Sequence, residues 1–157
     1  MKRLVIFDFD DTLVTTDAKI RVLNKSLRLS TSEFAHYNIQ PEDILDFSEF
    51  HTPTLANPKT TDFFNNIFYR IIKTNSDIMI LTARQFTNTV RDFLSKYINE
   101  DRLQIIGHAE TPEKKKKAIE QIMHKYDDIR FYDDSPKNVE AVRNLKHLKV
   151  KAQIVKK

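Results

Sequence analysis

A chain of 157 residues with 40% hydrophobic content is long enough for one domain with a real core and too short for two ordinary ones. Charged residues reach 31%, but the apolar ones come in blocks, which excludes a disordered polymer; the net charge of +4 mildly favours an anionic partner. The lack of cysteine excludes a disulfide scaffold and thiolate metal sites.

In chain order, residues 3–9 (Arg-Leu-Val-Ile-Phe-Asp-Phe) form an apolar run of strand formers, as expected of a strand buried on both faces of a parallel sheet. Its apolar part, Leu4 to Phe7, is too short for a signal peptide or a membrane span, so a cytoplasmic protein without membrane association is expected. From about Thr15 to Thr60 the chain is too long for a plain connection, and residues 15–59 are read as an insertion within a single domain spanning 1–157. Within it, the alternation of Ala18–Leu23 and Ser26–Leu29 about Asn24-Lys25 predicts a hairpin, Ser30 to Phe34 opens a short helix, and the stretch around Pro53 and Pro58 is a connecting loop.

Further strands are predicted at Ile78–Leu81, Leu103–Ile106, Ile129–Tyr132 and, more weakly, Val150–Val155. Helical stripes lie between them: Phe63, Phe64, Ile67, Phe68, Ile71 and Ile72; then Val90, Phe93, Leu94, Tyr97 and Ile98; then Ala118, Ile119, Ile122, Met123 and Tyr126; then Val139, Val142 and Leu145. Thr111-Pro112 and Ser135-Pro136 are helix starts, each with an N-cap hydroxyl and proline in the first turn. Strand alternating with helix predicts an α/β fold: a Rossmann-like parallel sheet of about five strands flanked by helices, with a small hairpin and helix inserted after the first strand.

Ligands of such sheets bind beyond the carboxyl ends of the strands. There the sequence places Asp8, Asp10 and Asp11 after the first strand, Thr82 and Arg84 after the second, and Asp133 and Asp134 after the fourth. So many carboxylates at one edge repel unless a cation holds them, and oxygen ligands suit Mg²⁺. The alternation of a strand puts Asp8 and Asp10 on one side, so one can attack while the other handles a proton. Any single Asp here is equally well explained as a turn former. Thr82 is either a cap for the next helix or a phosphate ligand, and Arg84 either a surface residue or a second phosphate contact. Of Lys114 to Lys117, helical spacing to Ile119 and Ile122 favours Lys115 as the one facing the site, with Lys114 and Lys116 as alternatives. His108 is either at the mouth of the site or in a surface turn.

The pattern resembles the haloacid dehalogenase-like (HAD) superfamily of phosphohydrolases. Its Asp-x-Asp-x-Thr strand end is matched by Asp8, Asp10 and Thr12, its strand-ending Thr by Thr82, its lysine by Lys115, and its paired acids by Asp133 and Asp134. Asp11 stands where many members carry glycine. The Thr82-Ala83-Arg84 sequence and the paired aspartates are also similar to the phosphatase domains of polynucleotide end-repair enzymes. The resemblance implies a Mg²⁺-dependent phosphatase with Asp8 as nucleophile, Asp10 as general acid and base, and Thr82 and Lys115 binding the phosphoryl oxygens. It implies Mg²⁺ held by Asp8, the Asp10 carbonyl and Asp134, with Asp133 in support. The insertion takes the place of a substrate-selecting cap, here small enough to admit a bulky phosphorylated molecule, a nucleotide or a nucleic-acid end; no obligate protein partner is implied. The alternatives are a phospho-accepting receiver-like signalling module, which orders its acids differently, and a metal-dependent nuclease.

Overall fold

The structure, a computed structural model, describes residues 1–156. In chain order the strands are β1 (Arg3–Phe7), β2 (Val14–Thr15), β3 (Ile20–Val22), β4 (Leu27–Leu29), β5 (Leu45–Asp46), β6 (Lys59–Thr60), β7 (Asp77–Leu81), β8 (Leu103–Ile106), β9 (Asp128–Asp133) and β10 (Val150–Ile154). The helices are α1 (Thr31–Ala35), α2 (Tyr69–Ile71), α3 (Thr87–Leu94), α4 (Pro112–Ile122) and α5 (Pro136–Arg143). Five strands make one parallel sheet in the order β10-β9-β1-β7-β8, with β1 at its centre. The expected α/β architecture is the one observed, including the weak fifth strand.

The central position of β1 explains its uninterrupted apolar sequence, because both of its faces are covered. Val5 and Phe7 pack with Phe64, Phe68, Val90 and Leu94 on one side of the sheet. Leu4 and Ile6 pack with Ile119, Val139 and Val142 on the other. Each such side chain contributes roughly 1.5–3 kcal/mol by leaving water, so the strand that leads into Asp8 is firmly anchored on both faces. Thr111 and Ser135 cap α4 and α5 as their sequences predict, each accepting a backbone N–H three residues on.

The first helical stripe is only partly realised. Residues Phe64–Phe68 form a π-helical stretch that runs into α2, and Ile67, expected in the core, is 40% exposed. Hydrogen bonds that span five residues widen the turn, so the 3.6-residue period no longer tells which side chain faces inward. Phe64 and Phe68 remain inside, with their ring centroids 4.8 Å apart.

In the insertion, β3 and β4 form the predicted hairpin, with a 3₁₀ turn at Leu23–Lys25 and Ser26 in the left-handed region. Ser30 caps α1 through a reciprocal capping box with Glu33. Two pairings have no counterpart in the sequence reading: β5 adds to β3 as a third strand, and β2 pairs with β6 across the two ends of the insertion. The second replaces part of the expected connecting loop and ties the insertion back to the chain leaving β1. Among the described residues, no helix is long and apolar enough to cross a membrane.

Candidate active site

Strand register brings the acidic segments together. Phe7 lies beside Tyr132 of β9 and Ile80 of β7, so the next residue, Asp8, emerges beside Asp133 and close to the end of β7, which leads into Thr82. The Asp8 N–H continues the ladder by donating to the Tyr132 carbonyl at 2.9 Å. Asp8 and Asp133 are buried.

A lysine from α4 closes this pair. Lys115 Nζ donates to Asp8 Oδ1 at 2.7 Å and to Asp133 Oδ2 at 2.9 Å. Of the four consecutive lysines it is the one that is buried, at 3% exposure, one turn before the buried Ile119. Burial pulls the ammonium pKa down, but Asp8 and Asp133 together outweigh it and hold the proton firmly.

Thr12 links the second member of the acidic pair. Its hydroxyl lies 3.1 Å from Asp8 Oδ2 and 3.2 Å from Asp134 Oδ1, and it accepts the Asp134 N–H at 3.0 Å. The tight turn between β1 and Thr12 places Asp11 at φ 66°, the left-handed region that glycine and aspartate tolerate best. That geometry accounts for an aspartate where glycine would also fit. Burial, then the neighbouring Asp8 charge, raises Asp133 to about 6 and Asp134 to about 8.

Asp8, Asp133 and Asp134 each offer a carboxylate oxygen, all within 4.8 Å of one another. Lys115 pairs with two of these carboxylates, Asp8 and Asp133, and the three oxygens together could hold a divalent cation; an all-oxygen donor set suits Mg²⁺. The Asp10 carboxylate is not in this group. It turns instead toward Arg84, which donates Nε to Asp10 Oδ2 and Nη2 to Asp10 Oδ1, both at 2.8 Å. Burial raises the Asp10 pKa, against the opposing pull of Arg84.

Arg84 therefore does not lie at the surface: it is 2% exposed and its third bond, from Nη1, goes to the Phe50 carbonyl of the insertion at 3.1 Å. Thr82 does not cap a helix either. It is buried, α3 starts only at Thr87, and the Thr82 hydroxyl accepts the Arg84 N–H at 3.2 Å. The Thr82–Arg84 turn is braced by the segment that follows β8: the His108 and Ala109 N–H groups donate to the Arg84 and Thr82 carbonyls. This close approach needs Gly107, where a Cβ would sit 2.7 Å from the Arg84 carbonyl oxygen and 2.6 Å from Thr87 Cγ2. His108 itself is exposed.

Several contacts have no advance signal in the sequence. Asn138 of α5 donates to Asp133 Oδ2 at 3.0 Å, the Ser135 N–H donates to Asp133 Oδ1 at 2.9 Å, and the Gln85 N–H donates to His51 Nδ1 at 3.2 Å. Helix-cap spacing hinted at Ser135 and the Asp-x-Asp-x-Thr pattern contained Thr12; nothing in the sequence paired Phe50 or His51 with the turn after β7. No protein-family model matches the chain, and no curated protein matches it.

Proposed function

We propose that the chain is a Mg²⁺-dependent phosphatase of the HAD type, which hydrolyses phosphomonoesters through a phosphoryl group carried transiently on Asp8. The observation that carries this reading is the convergence of Asp8, Asp133 and Lys115 at 2.7 and 2.9 Å, beside an Asp10 held by a different partner. Two carboxylates two residues apart thus have separate surroundings, one suited to attack and one to proton transfer.

In the first step a carboxylate oxygen of Asp8 bonds to phosphorus while the ester oxygen departs with a proton from Asp10. Arg84 keeps Asp10 turned toward that departing group. In the second, water attacks phosphorus of the aspartyl-phosphate and gives a proton to Asp10, the bond between phosphorus and the Asp8 oxygen breaks, and inorganic phosphate and the Asp8 carboxylate are released. Lys115 and Thr82 offset charge on the phosphoryl oxygens, and Thr12 and Asn138 keep the acids in place. Mg²⁺ bound by Asp8, Asp133 and Asp134 would supply further positive charge against the same oxygens.

The test is phosphate release from an aryl phosphate, with Mg²⁺ and with chelator, by the wild type and by Asp8→Asn. Release by the wild type with Mg²⁺, reduced at least about a thousandfold in the variant, is expected of a covalent nucleophile. Strand cleavage of an oligonucleotide without phosphate release would instead indicate a nuclease, and a stable phosphoprotein without turnover a receiver-like module.

A further inference from the structure

Between the insertion and the sheet edge lies a cavity of ≈ 450 Å³. Ile20, Phe34, Phe47 and Phe50 of the insertion form its apolar wall, and Asp10 and Arg84 belong to its lining on the other side. That volume is in the range of sites that take small organic molecules, and more than a small alcohol needs on leaving phosphorus. Because Asp10 is the residue that hands a proton to the leaving group, whatever departs from phosphorus departs toward this cavity. That link rests on the phosphatase reading; the shape and chemistry of the wall do not.

The wall discriminates among leaving groups. Phe34 and Phe47 meet edge to face, with centroids 5.7 Å apart and planes at 88°, and Phe50 lies under the Arg84 guanidinium at 5.5 Å. Phe47 is 41% exposed, so part of this apolar residue is left to water. A polyol seated against the phenyl rings would leave hydroxyls on hydrocarbon, at a cost for each one unsatisfied, whereas the sugar of a nucleoside is bonded to the phosphate and so belongs on the polar side of the cavity, with Asp10 and Arg84. A flat aromatic ring would cover the phenyl faces by stacking. His51, Gln85 and Glu110 also line the cavity and supply hydrogen-bonding groups for a polar ring edge. Since its Nδ1 accepts the Gln85 N–H, the neutral His51 ring carries its proton on Nε2.

We propose that this cavity binds the leaving group of the substrate and that this group is a nucleoside, its base stacked among Phe34, Phe47 and Phe50. The phosphomonoester is then a mononucleotide or the phosphorylated terminal nucleotide of a strand.

The experiment compares kcat/KM of the full chain for adenosine 5′- and 3′-monophosphate, short oligonucleotides with a terminal phosphate, and glycerol phosphate, in wild type and Phe47→Ala. The expected wild-type preference for a base-bearing substrate over glycerol phosphate is about tenfold or more, the range of one base stacked on one aromatic side chain. Phe47→Ala is expected to cut that ratio about tenfold and Phe47→Trp to restore it. A preference for mononucleotide or for oligonucleotide identifies which source the cavity serves. Glycerol phosphate turned over as well as any nucleotide, or a ratio untouched by Phe47→Ala, would overturn the inference while leaving the phosphatase reading intact. Calorimetric titration of Asp8→Asn with adenosine monophosphate and glycerol phosphate separates the two further. Nucleotide binding that depends on Phe47, in a protein that hydrolyses nothing, would sustain the cavity's role and sink the phosphatase; no nucleotide binding in an active enzyme would do the reverse.

Discussion

The carboxylates of the sheet edge and those of the insertion are treated in opposite ways. In the insertion, Glu33 is held below its usual range by the Ser30 backbone, Asp43 by Lys25, and Asp46 by the Ser48 backbone. Each is a charge whose hydrogen bonds favour the folded chain. At the sheet edge, burial pushes Asp10, Asp133 and Asp134 upward, and mutual repulsion adds to it for the last two. The insertion uses its acids to hold itself together, whereas the sheet spends core stability, supplied by Val5, Phe7, Leu4 and Ile6, to keep charges where they are unfavourable. Strain of this kind is what a ligand site accumulates and a merely structural edge avoids.

Lys115 is where the contrast is most easily broken. It is the cation that reaches both Asp8 and Asp133, and it is nearly sealed from water. Lys115→Met is expected to lower stability by about 3–5 kcal/mol, because it strands buried carboxylates without their counter-charge. Denaturant unfolding checks this, and a loss below about 1 kcal/mol would mean that water or protonation relieves the cluster unaided. Part of the loss should be recovered at low pH, where the acids are neutral.

The two regions should also answer to pH with opposite signs. Asp133 and Asp134 have folded pKa values near 6 and 8 against 3.8 for the free side chain, so between those limits the folded state binds more protons than the unfolded one. Stability at the sheet edge is then greatest near pH 4 and falls as pH rises through 6 and 8, by a few kcal/mol. For Glu33, Asp43 and Asp46 the folded pKa is lowered. Their contribution is present above about pH 4 and is lost as pH falls below it. Local hydrogen exchange, corrected for intrinsic rates, should show residues 31–46 loosening in acid and the ends of β1 and β9 loosening as pH rises from about 4 to about 8, with no further change from these groups above that. Millimolar Mg²⁺ should flatten the second slope and leave the first unchanged. A common sign in both regions would refute the contrast.

What could be read in the sequence follows the same division. Buried parallel strands and acids at their ends are dictated locally, and Lys115 follows from helical spacing to Ile119 because α4 is regular. The insertion was legible where local chemistry is strong, in the β3–β4 hairpin and the Ser30 cap. It was illegible where two-residue strands pair at a distance, as β2 does with β6, since no periodicity can be detected over two residues. Ile67 defeats the helical period through a π-helical stretch that no side-chain pattern announces. The partner of Asp10 was hidden for a related reason. Arg84 could be placed at a strand end, but its turn depends on Gly107 and its third bond on Phe50, contacts 23 and 34 residues away in the chain.

The smallest change sharpens the contrast most cleanly. Ser30 accepts the Glu33 N–H at 3.1 Å while Glu33 Oε1 accepts the Ser30 N–H at 2.9 Å, and both groups are near water. Ser30→Ala removes one half of this box, at a cost of about 1 kcal/mol to the helix it starts. Helix α1 has no buried residue, yet its Phe34 leans on Phe47, so the effect should reach the aromatic wall. It should not reach β1, which is anchored by its own two cores. Faster exchange within 31–35, with unchanged protection of Leu4 to Phe7, is the expected result. If β1 loosened in step, the insertion would be part of the same cooperative unit as the sheet, and the two treatments of charge would belong to one folding equilibrium.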